Sequence, residues 1–219
     1  MMKLKTTPYL EQKWPTEGRH ILAQYDKQSI IVYQAYRPSI GKFAARHGYF
    51  GDQFRLTRMS WIKPNFLWMM YRSDWGTKWG QEVILAIRIK RQFFEMLLEQ
   101  AVPSGYDPDL YENQGIWKQA LESSPVRLQW DPDHDPGGTA LKRRSIQLGL
   151  REGILDQYAR DAIIEMTDIS DFVESQRIYA TKKEYSKLLT PTEQVYLPSN
   201  PVVVKELKLS LTEQPNIQS

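Results

Sequence analysis

Arg55-Leu-Thr-Arg-Met-Ser-Trp-Ile-Lys-Pro-Asn-Phe-Leu-Trp-Met-Met-Tyr-Arg-Ser-Asp-Trp75, followed after a short linker by Glu82-Val-Ile-Leu-Ala-Ile-Arg-Ile-Lys-Arg91, is the stretch on which the fold turns. Pro64 stands where a first helical turn tolerates proline, and the run Phe66, Leu67, Trp68, Met69, Met70, Tyr71 is apolar on every side. Such a helix must be almost wholly buried, so the rest of the chain has to enclose it. Residues 82–90 read as a strand, with Val83, Leu85, Ile87 and Ile89 on one face and Ile84 and Ala86 on the other until Arg88 and Lys90 take over. The same stretch is basic. Arg55, Arg58, Lys63, Arg72, Lys78, Arg88, Lys90 and Arg91 stand against Asp74 and Glu82, a balance of +6 in a chain whose total is +3. Positive charge therefore gathers where Trp61, Trp68, Trp75 and Trp79 are. Aromatic faces beside basic side chains suit a ligand with flat rings and phosphates, a nucleotide or a nucleic acid strand. The plainer alternative is a core helix with a solvated basic rim.

Working outward, residues 29–36 form a β-branched and aromatic run, a strand buried on both faces, that ends at Arg37-Pro38. Ser39 caps a short helix through Phe43, Ala44 and Ala45 that stops at Gly48, and Gly48-Tyr49-Phe50-Gly51 is a hinge-like loop. A helix is predicted over 92–100, a turn-rich segment over 102–108, and a second helix over 110–121, interrupted by Gly115. Val126, Leu128 and Trp130 alternate as a strand that runs into the turn 131–138. Ile146, Leu148 and Leu150 alternate in another strand, where Gly149 either lets phosphate approach the backbone or marks a bulge. A short helical or turn segment over 153–159 and a strand over 162–166 come next. Asp168 or Ser170 then caps a helix, the segment 182–189 is polar, and strands are predicted over 192–197 and 201–209.

These elements add up to an α+β chain: one domain over 19–210, with a mixed, mainly antiparallel sheet, or two packed sheets, and flanking helices. Residues 1–18 read as a flexible N-terminal arm that Trp14 would pin, and 211–219 as a frayed tail.

At 219 residues, with 41% apolar and 25% charged content, the chain is long enough for one sizeable core and has the balance of an ordinary globular protein. Zero cysteines exclude disulfides, thiolate metal sites and cysteine nucleophiles, and fit a reducing cytoplasm; three histidines argue against a histidine-rich metal centre. No stretch has the length of a signal peptide's apolar core or of a membrane span, so neither a membrane nor secretion is expected. Phosphate-loop, dinucleotide-fingerprint and nucleophile-elbow motifs are absent. Asp131, Asp133, His134 and Asp135 would suit a hard cation or a plain acidic turn; their spacing matches no EF-hand and no metal is assigned.

Four segments together resemble the family known as domain of unknown function 4291, over nearly the full chain. They are Tyr33-Gln-Ala-Tyr-Arg-Pro38, residues 57–73 (Thr-Arg-Met-Ser-Trp-Ile-Lys-Pro and Phe-Leu-Trp-Met-Met-Tyr-Arg-Ser), Gln129-Trp-Asp-Pro-Asp-His134 and Ile146-Gln-Leu-Gly-Leu-Arg151. That family name implies no activity. A fainter resemblance is to the ADP-ribosyltransferase superfamily, whose parts run strand with Arg or His, loop, Ser or Tyr motif before a helix, strand, late strand with Glu. It implies NAD as substrate and ADP-ribose transfer to a nucleic acid or protein acceptor. On this resemblance Arg37 would hold the diphosphate, Ser60 the nicotinamide ribose, and Trp61 or Tyr49 would stack on nicotinamide. Tyr36, Arg58 and Lys63 complete the cofactor-binding set. Glu193 would be the catalytic carboxylate that stabilises the oxocarbenium-like centre, with Glu152, Asp156 and Glu165 as rivals. The alternative from the residues alone is a non-catalytic nucleotide- or nucleic-acid-binding module built on residues 55–91.

Overall fold

In the computed structural model, which describes residues 4–51 and 53–211, the chain begins with β1 (Thr6–Pro8), β2 (Gly18–Arg19), β3 (Ile21–Ala23), β4 (Ser29–Tyr36) and α1 (Pro38–His47). The middle holds β5 (Ser60–Ile62), α2 (Phe66–Ser73), β6 (Val83–Lys90), α3 (Arg91–Glu99), β7 (Ala101–Pro103) and α4 (Gln114–Ser123). The last part holds β8 (Val126–His134), β9 (Ala140–Leu150), α5 (Glu152–Ala159), β10 (Ile163–Asp168), α6 (Ser170–Thr181), β11 (Leu189–Pro191), β12 (Gln194–Tyr196) and α7 (Pro201–Glu206).

An antiparallel sheet of order β10-β6-β4 forms the centre. Its strands are apolar on both faces because both are covered. Ile30 and Val32 of β4, with Val83, Leu85, Ile87 and Ile89 of β6, face one core; Ile31, Tyr33, Ile84 and Ala86 face a second core made with Phe66, Leu67, Met69 and Met70 of α2 and Val173 of α6. The enclosed helix is thus explained: it is the cover of the central sheet. Tyr71 is its main apolar departure, since it is half exposed. On the far side of the first core lies a five-stranded sheet of order β2-β9-β8-β7, with β5 also paired to β9. Among the described residues only β2 with β9 and β7 with β8 are parallel. The two sheets join at one point, where the Tyr33 N–H donates to the Lys63 carbonyl at 2.7 Å and the Lys63 N–H returns to Tyr33 at 3.3 Å. The result is a single α+β domain with mixed, mainly antiparallel sheets. Among the described residues no helix is long and apolar enough to cross a membrane.

Three expectations are corrected. The stretch 201–209 holds helix α7 (Pro201–Glu206), not a strand, despite Val202, Val203 and Val204. Asn200 accepts the Val202 N–H at 3.0 Å, Pro201 fits the first turn, and Val203 and Leu207 then bury one face at helical spacing. Residues 131–134, expected in a turn, continue β8; Pro132 is accommodated because the register slips between Pro132 and His134. The turn proper is closed by the Asp135 N–H to Thr139 at 2.9 Å. Within the expected N-terminal arm, β1 pairs antiparallel with β11, and the Trp14 indole N–H donates to the Glu193 carbonyl at 2.9 Å, so that stretch is docked. Residues 1–3, and 212–219 of the expected tail, lie outside the described residues.

Candidate functional site

Strand alternation decides which of the expected site residues can meet. Gln34 and Tyr36 share the β4 face of Ile30 and Val32, toward the first core. There Ser60 Oγ lies 2.9 Å from Gln34 Nε2 and 2.9 Å from the Tyr36 hydroxyl, and the Tyr158 hydroxyl donates to Gln34 Oε1 at 2.8 Å. Ser60 is therefore a member of a closed polar network inside the sheet packing. Glu193 is on the opposite face, close to the hydroxyl of Tyr33. It is 3% exposed, and both carboxyl oxygens are used: Oε1 accepts the Phe66 N–H at 2.7 Å and Oε2 the Asn65 Nδ2 at 3.1 Å. Asn65 in turn caps α2 by accepting the Trp68 N–H at 2.7 Å. Glu193 thus seats the N-terminus of the buried helix, and the expected pairing of Ser60 with Glu193 in one cleft is corrected: β4 stands between them.

Glu193 carries its own prediction. Burial pushes its carboxyl well above the usual carboxylate range, with Asp133 adding to the push. A raised carboxyl pKa means that the stabilising contribution is complete at acid pH and is lost as pH rises through the folded-state value. Glu193→Gln should therefore flatten the rise of stability toward acid pH, with a pH-independent loss of about 1–3 kcal/mol because the amide has one acceptor oxygen for the two N–H donors of Phe66 and Asn65. A variant as pH-sensitive as the parent in thermal melts from pH 4 to 8 would refute this assignment.

Arg37 is exposed, with its guanidinium 3.3 Å from Gln53 Oε1, and its carbonyl accepts the first N–H groups of α1. Tyr49 is exposed and packs edge-on to Phe43, and Arg58 is exposed. Tyr36 packs edge-on to Phe50 and Phe54. None of these is brought to Glu193.

Trp61 and Lys63 share a side of the chain. They alternate with the core residue Ile62 and so lie on the face of the five-stranded sheet that points away from the first core. Trp61 stands opposite Gly149 in register. A side chain at Gly149 would come within 3.0 Å of the Trp61 ring and 2.7 Å of the Met59 sulfur, so the glycine is there to let the indole lie on the strand. The register runs through Gly149 unbroken, which removes the expected bulge. Gln129 and Asp131 of β8, paired with Gln147 and Ser145 of β9, share this face because Leu128, Trp130, Ile146 and Leu148 fill the other. Asp131 is held by two amides, Gln129 Nε2 at 2.8 Å and Gln147 Nε2 at 2.7 Å.

Lys63 is 5% exposed, and among the described residues its ammonium has neither an ion-pair partner nor a hydrogen bond. Burial first, and then the nearby Arg72 guanidinium, lower its pKa to about 8 against the opposing pull of Asp131. Buried cations are normally paired, and an unpaired one beside a second cation is poised for an anion from outside the chain. The geometry is that of an oriented cluster: an indole, an ammonium, a guanidinium, and a carboxylate flanked by two amides. Such a set can hold a phosphate, stack on a ring and hydrogen-bond a polar edge.

The density of tryptophan and basic residues pointed to Trp61, Lys63 and Arg72. Asp131 was read as a possible cation ligand or part of an acidic turn, and Gln129 and Gln147 were missed, although the period-two spacing of the three against Leu128, Trp130, Ile146 and Leu148 was a signal. Among the described residues no group of three or more His, Asp and Glu side chains could hold a metal ion. The acidic run is dispersed: Asp131 faces outward, Asp133 bonds Arg143 at 2.6 Å, and Asp135 accepts the Thr139 N–H at 2.8 Å.

The motifs that build this face, from the end of β4 through β5, α2, β8 and β9, all fall inside residues 20–196, which match the family described as Domain of unknown function (DUF4291). The chain belongs to that family. None of the curated proteins matches it. The family match bears out the first resemblance and brings no activity with it; the resemblance to ADP-ribosyltransferases gains no support from it.

Proposed function

We propose that the protein binds a nucleotide on the sheet face formed by Trp61, Lys63, Asp131 and Gln147, with Arg72 at its edge. The observation that carries this reading is the Lys63 ammonium, on a side chain only 5% exposed, which among the described residues has no ion-pair or hydrogen-bond partner and lies near a second cation, Arg72. Phosphate supplies the missing negative charge in a form that an ammonium and a guanidinium can share. Trp61 provides a flat apolar surface for a base, and Asp131, oriented by two amides, would accept from ribose hydroxyls or an exocyclic amine. This is the nucleotide-binding module read from residues 55–91, with its site on the entry strand and exit residue of α2 rather than on the helix. NAD, the substrate implied by the ADP-ribosyltransferase resemblance, has the same chemistry and is a ligand this face would take. A chain without cysteine that binds such ligands suits the cytoplasm.

Calorimetric titration with ADP, with adenosine as control, tests the reading. ADP should bind in the micromolar to low millimolar range and adenosine at least about tenfold more weakly. Lys63→Ala and Arg72→Ala should each cost about tenfold or more, because a charged hydrogen bond is lost. Affinity should also fall as pH rises past about 8, where the free Lys63 loses its proton. ADP binding unaffected by Lys63→Ala would refute the site. NAD titrated in parallel, with assay of released nicotinamide, separates binding from ADP-ribose transfer.

A further inference from the structure

Arg72 leads from the sheet face to a second feature. Beyond it lies a cavity of about 560 Å³ between the exit of α2, the β8–β9 turn and the end of α6, with Tyr71, Arg72, Lys78 and Lys183 in its wall. Tyr71 is stacked on His134 with ring centroids 3.5 Å apart, and Trp68 lies parallel to His134 at 5.5 Å, so the tyrosine is held flat from one side. The wall is tied together by the Trp75 indole N–H donating to the Pro136 carbonyl at 3.1 Å. Arg72, Lys78 and Lys183 form no ion pair among the described residues. The two carboxylates of the wall are occupied within their own turns, Asp74 by the Thr77 hydroxyl at 2.8 Å and Asp135 by the Thr139 N–H at 2.8 Å.

Next in the chain after Lys78 of this wall stands Trp79, 92% exposed. A fully exposed tryptophan sacrifices more hydrophobic burial than any other exposed residue, so its place on the surface calls for a reason. Its loop is ordered rather than slack. Asp74 and Trp75 take left-handed backbone angles (φ 50° and 51°), which turn the chain sharply out of α2. The Lys78 N–H then returns to the Ser73 carbonyl at 3.1 Å, and the Gln81 N–H to the Lys78 carbonyl at 2.9 Å. The indole is thus presented on a fixed platform, which lowers the ordering cost of stacking a ring on it.

We propose that the nucleotide held at Lys63 is one unit of a single-stranded nucleic acid, whose chain passes Arg72, crosses this cavity and stacks a base on Trp79. The inference rests on the nucleotide reading above and extends it to the ligand class. Arg72 belongs to both features and links them. Lys78 and Lys183 take backbone phosphates, and Tyr71 and Trp79 offer ring faces that accept any base. Single strands fit such a platform, because their bases are free to stack and no duplex groove is needed.

Fluorescence anisotropy with labelled ten-residue oligodeoxythymidylate and oligouridylate, set beside ADP titration, tests it. The oligonucleotide should bind at least tenfold tighter than ADP. Trp79→Ala should weaken it about tenfold and leave ADP affinity unchanged, from the usual worth of one base–aromatic stack. Lys78→Gln with Lys183→Gln should make the slope of log affinity against log salt shallower by about 1.4, two phosphates' worth for a single strand. All three positions are exposed, so the variants should fold. The ratio of the two oligonucleotide affinities tells RNA from DNA. An oligonucleotide that binds no tighter than ADP, or that is indifferent to Trp79→Ala, overturns this inference and leaves the nucleotide reading intact. Failure of ADP and oligonucleotide alike overturns both.

Discussion

Lys63→Met should raise the melting temperature by roughly 5–10 °C at pH 7 and abolish nucleotide binding in the same protein. The folded-state pKa of Lys63 lies at about 8, below the ordinary 10.5. Below pH 8 both folded and unfolded chains carry the proton, so folding bears the whole cost of holding the ammonium in this site, about 3 kcal/mol for a shift of this size. Between pH 8 and 10.5 the folded chain sheds the proton first and the cost falls. The methionine variant, of similar length and without charge, escapes this cost and fills the same space. Its advantage over the parent should therefore be largest at neutral pH and close to nil near pH 10.5, as a pair of calorimetric melting series would show. A domain of this size shifts by about 2–4 °C per kcal/mol. A variant less stable than the parent at pH 7 would mean that Lys63 already has its counter-charge inside the chain, and the argument for an external anion would fall with it. A residue that weakens the fold and is kept in place by ligand chemistry is the expected pattern at a functional site.

The opposite result is expected at Asp133. Its carboxylate is wholly buried against Arg143, 2.7 Å from Nε and 2.6 Å from Nη2, and it also accepts the His134 N–H at 2.8 Å. Arg143 reaches on to the Pro15 carbonyl and lies 5.4 Å over the Trp14 ring, so this one pair ties β8 and β9 to the N-terminal segment. Asp133→Ala leaves a buried guanidinium without its partner and should cost about 3–5 kcal/mol, a fall in melting temperature of about 10 °C. Replacing both partners together, Asp133→Leu with Arg143→Met, should restore most of the loss, because the desolvation cost of the pair disappears with its attraction. If the double variant melts as low as the single one, the pair is more than a self-compensating ion bridge. If Asp133→Ala alone is harmless, the burial of this pair does not stabilise the fold as argued.

These two charged residues show how differently the same sequence pattern can be used. Lys63 and Asp133 are both charges in short polar stretches between apolar runs, and nothing local distinguishes them. Asp133 is paired by a residue ten positions away on the neighbouring strand; the Lys63 ammonium has no ion-pair partner among the described residues. Similarly, Ser60 and Trp61 are adjacent in the chain, yet one turns into the sheet packing toward Tyr158 and the other lies on Gly149 on the opposite face. Ser60 and Glu193 look like members of one site when ordered along the chain. Their separation follows from the parity of β4, which sends Gln34 and Tyr36 to one side and Tyr33 to the other.

Local pattern was enough wherever one stretch settles its own structure. The two-sided apolar runs of β4 and β6 require a covered central sheet, the all-round apolar run of α2 requires enclosure, and Gly48 ends α1 with φ 76°. The cluster of basic and aromatic residues likewise marked Trp61, Lys63 and Arg72 before any pairing was known. Where local preference and packing disagree, packing wins: Val202, Val203 and Val204 favour a strand, but the Asn200 cap and the burial of Val203 and Leu207 make a helix. The rest is non-local. Asp131, Gln129 and Gln147 join Lys63 only through the register of β8 on β9 and of β9 on β5, which brings together residues far apart in the chain. Sequence alone determined the α+β class, the central strands, the enclosed helix and its basic, aromatic surroundings, because those depend on periodicity and composition within a few residues. Tertiary structure alone decided which face each polar side chain occupies and which charge lacks a partner, because strand parity and burial arise from contacts between distant segments.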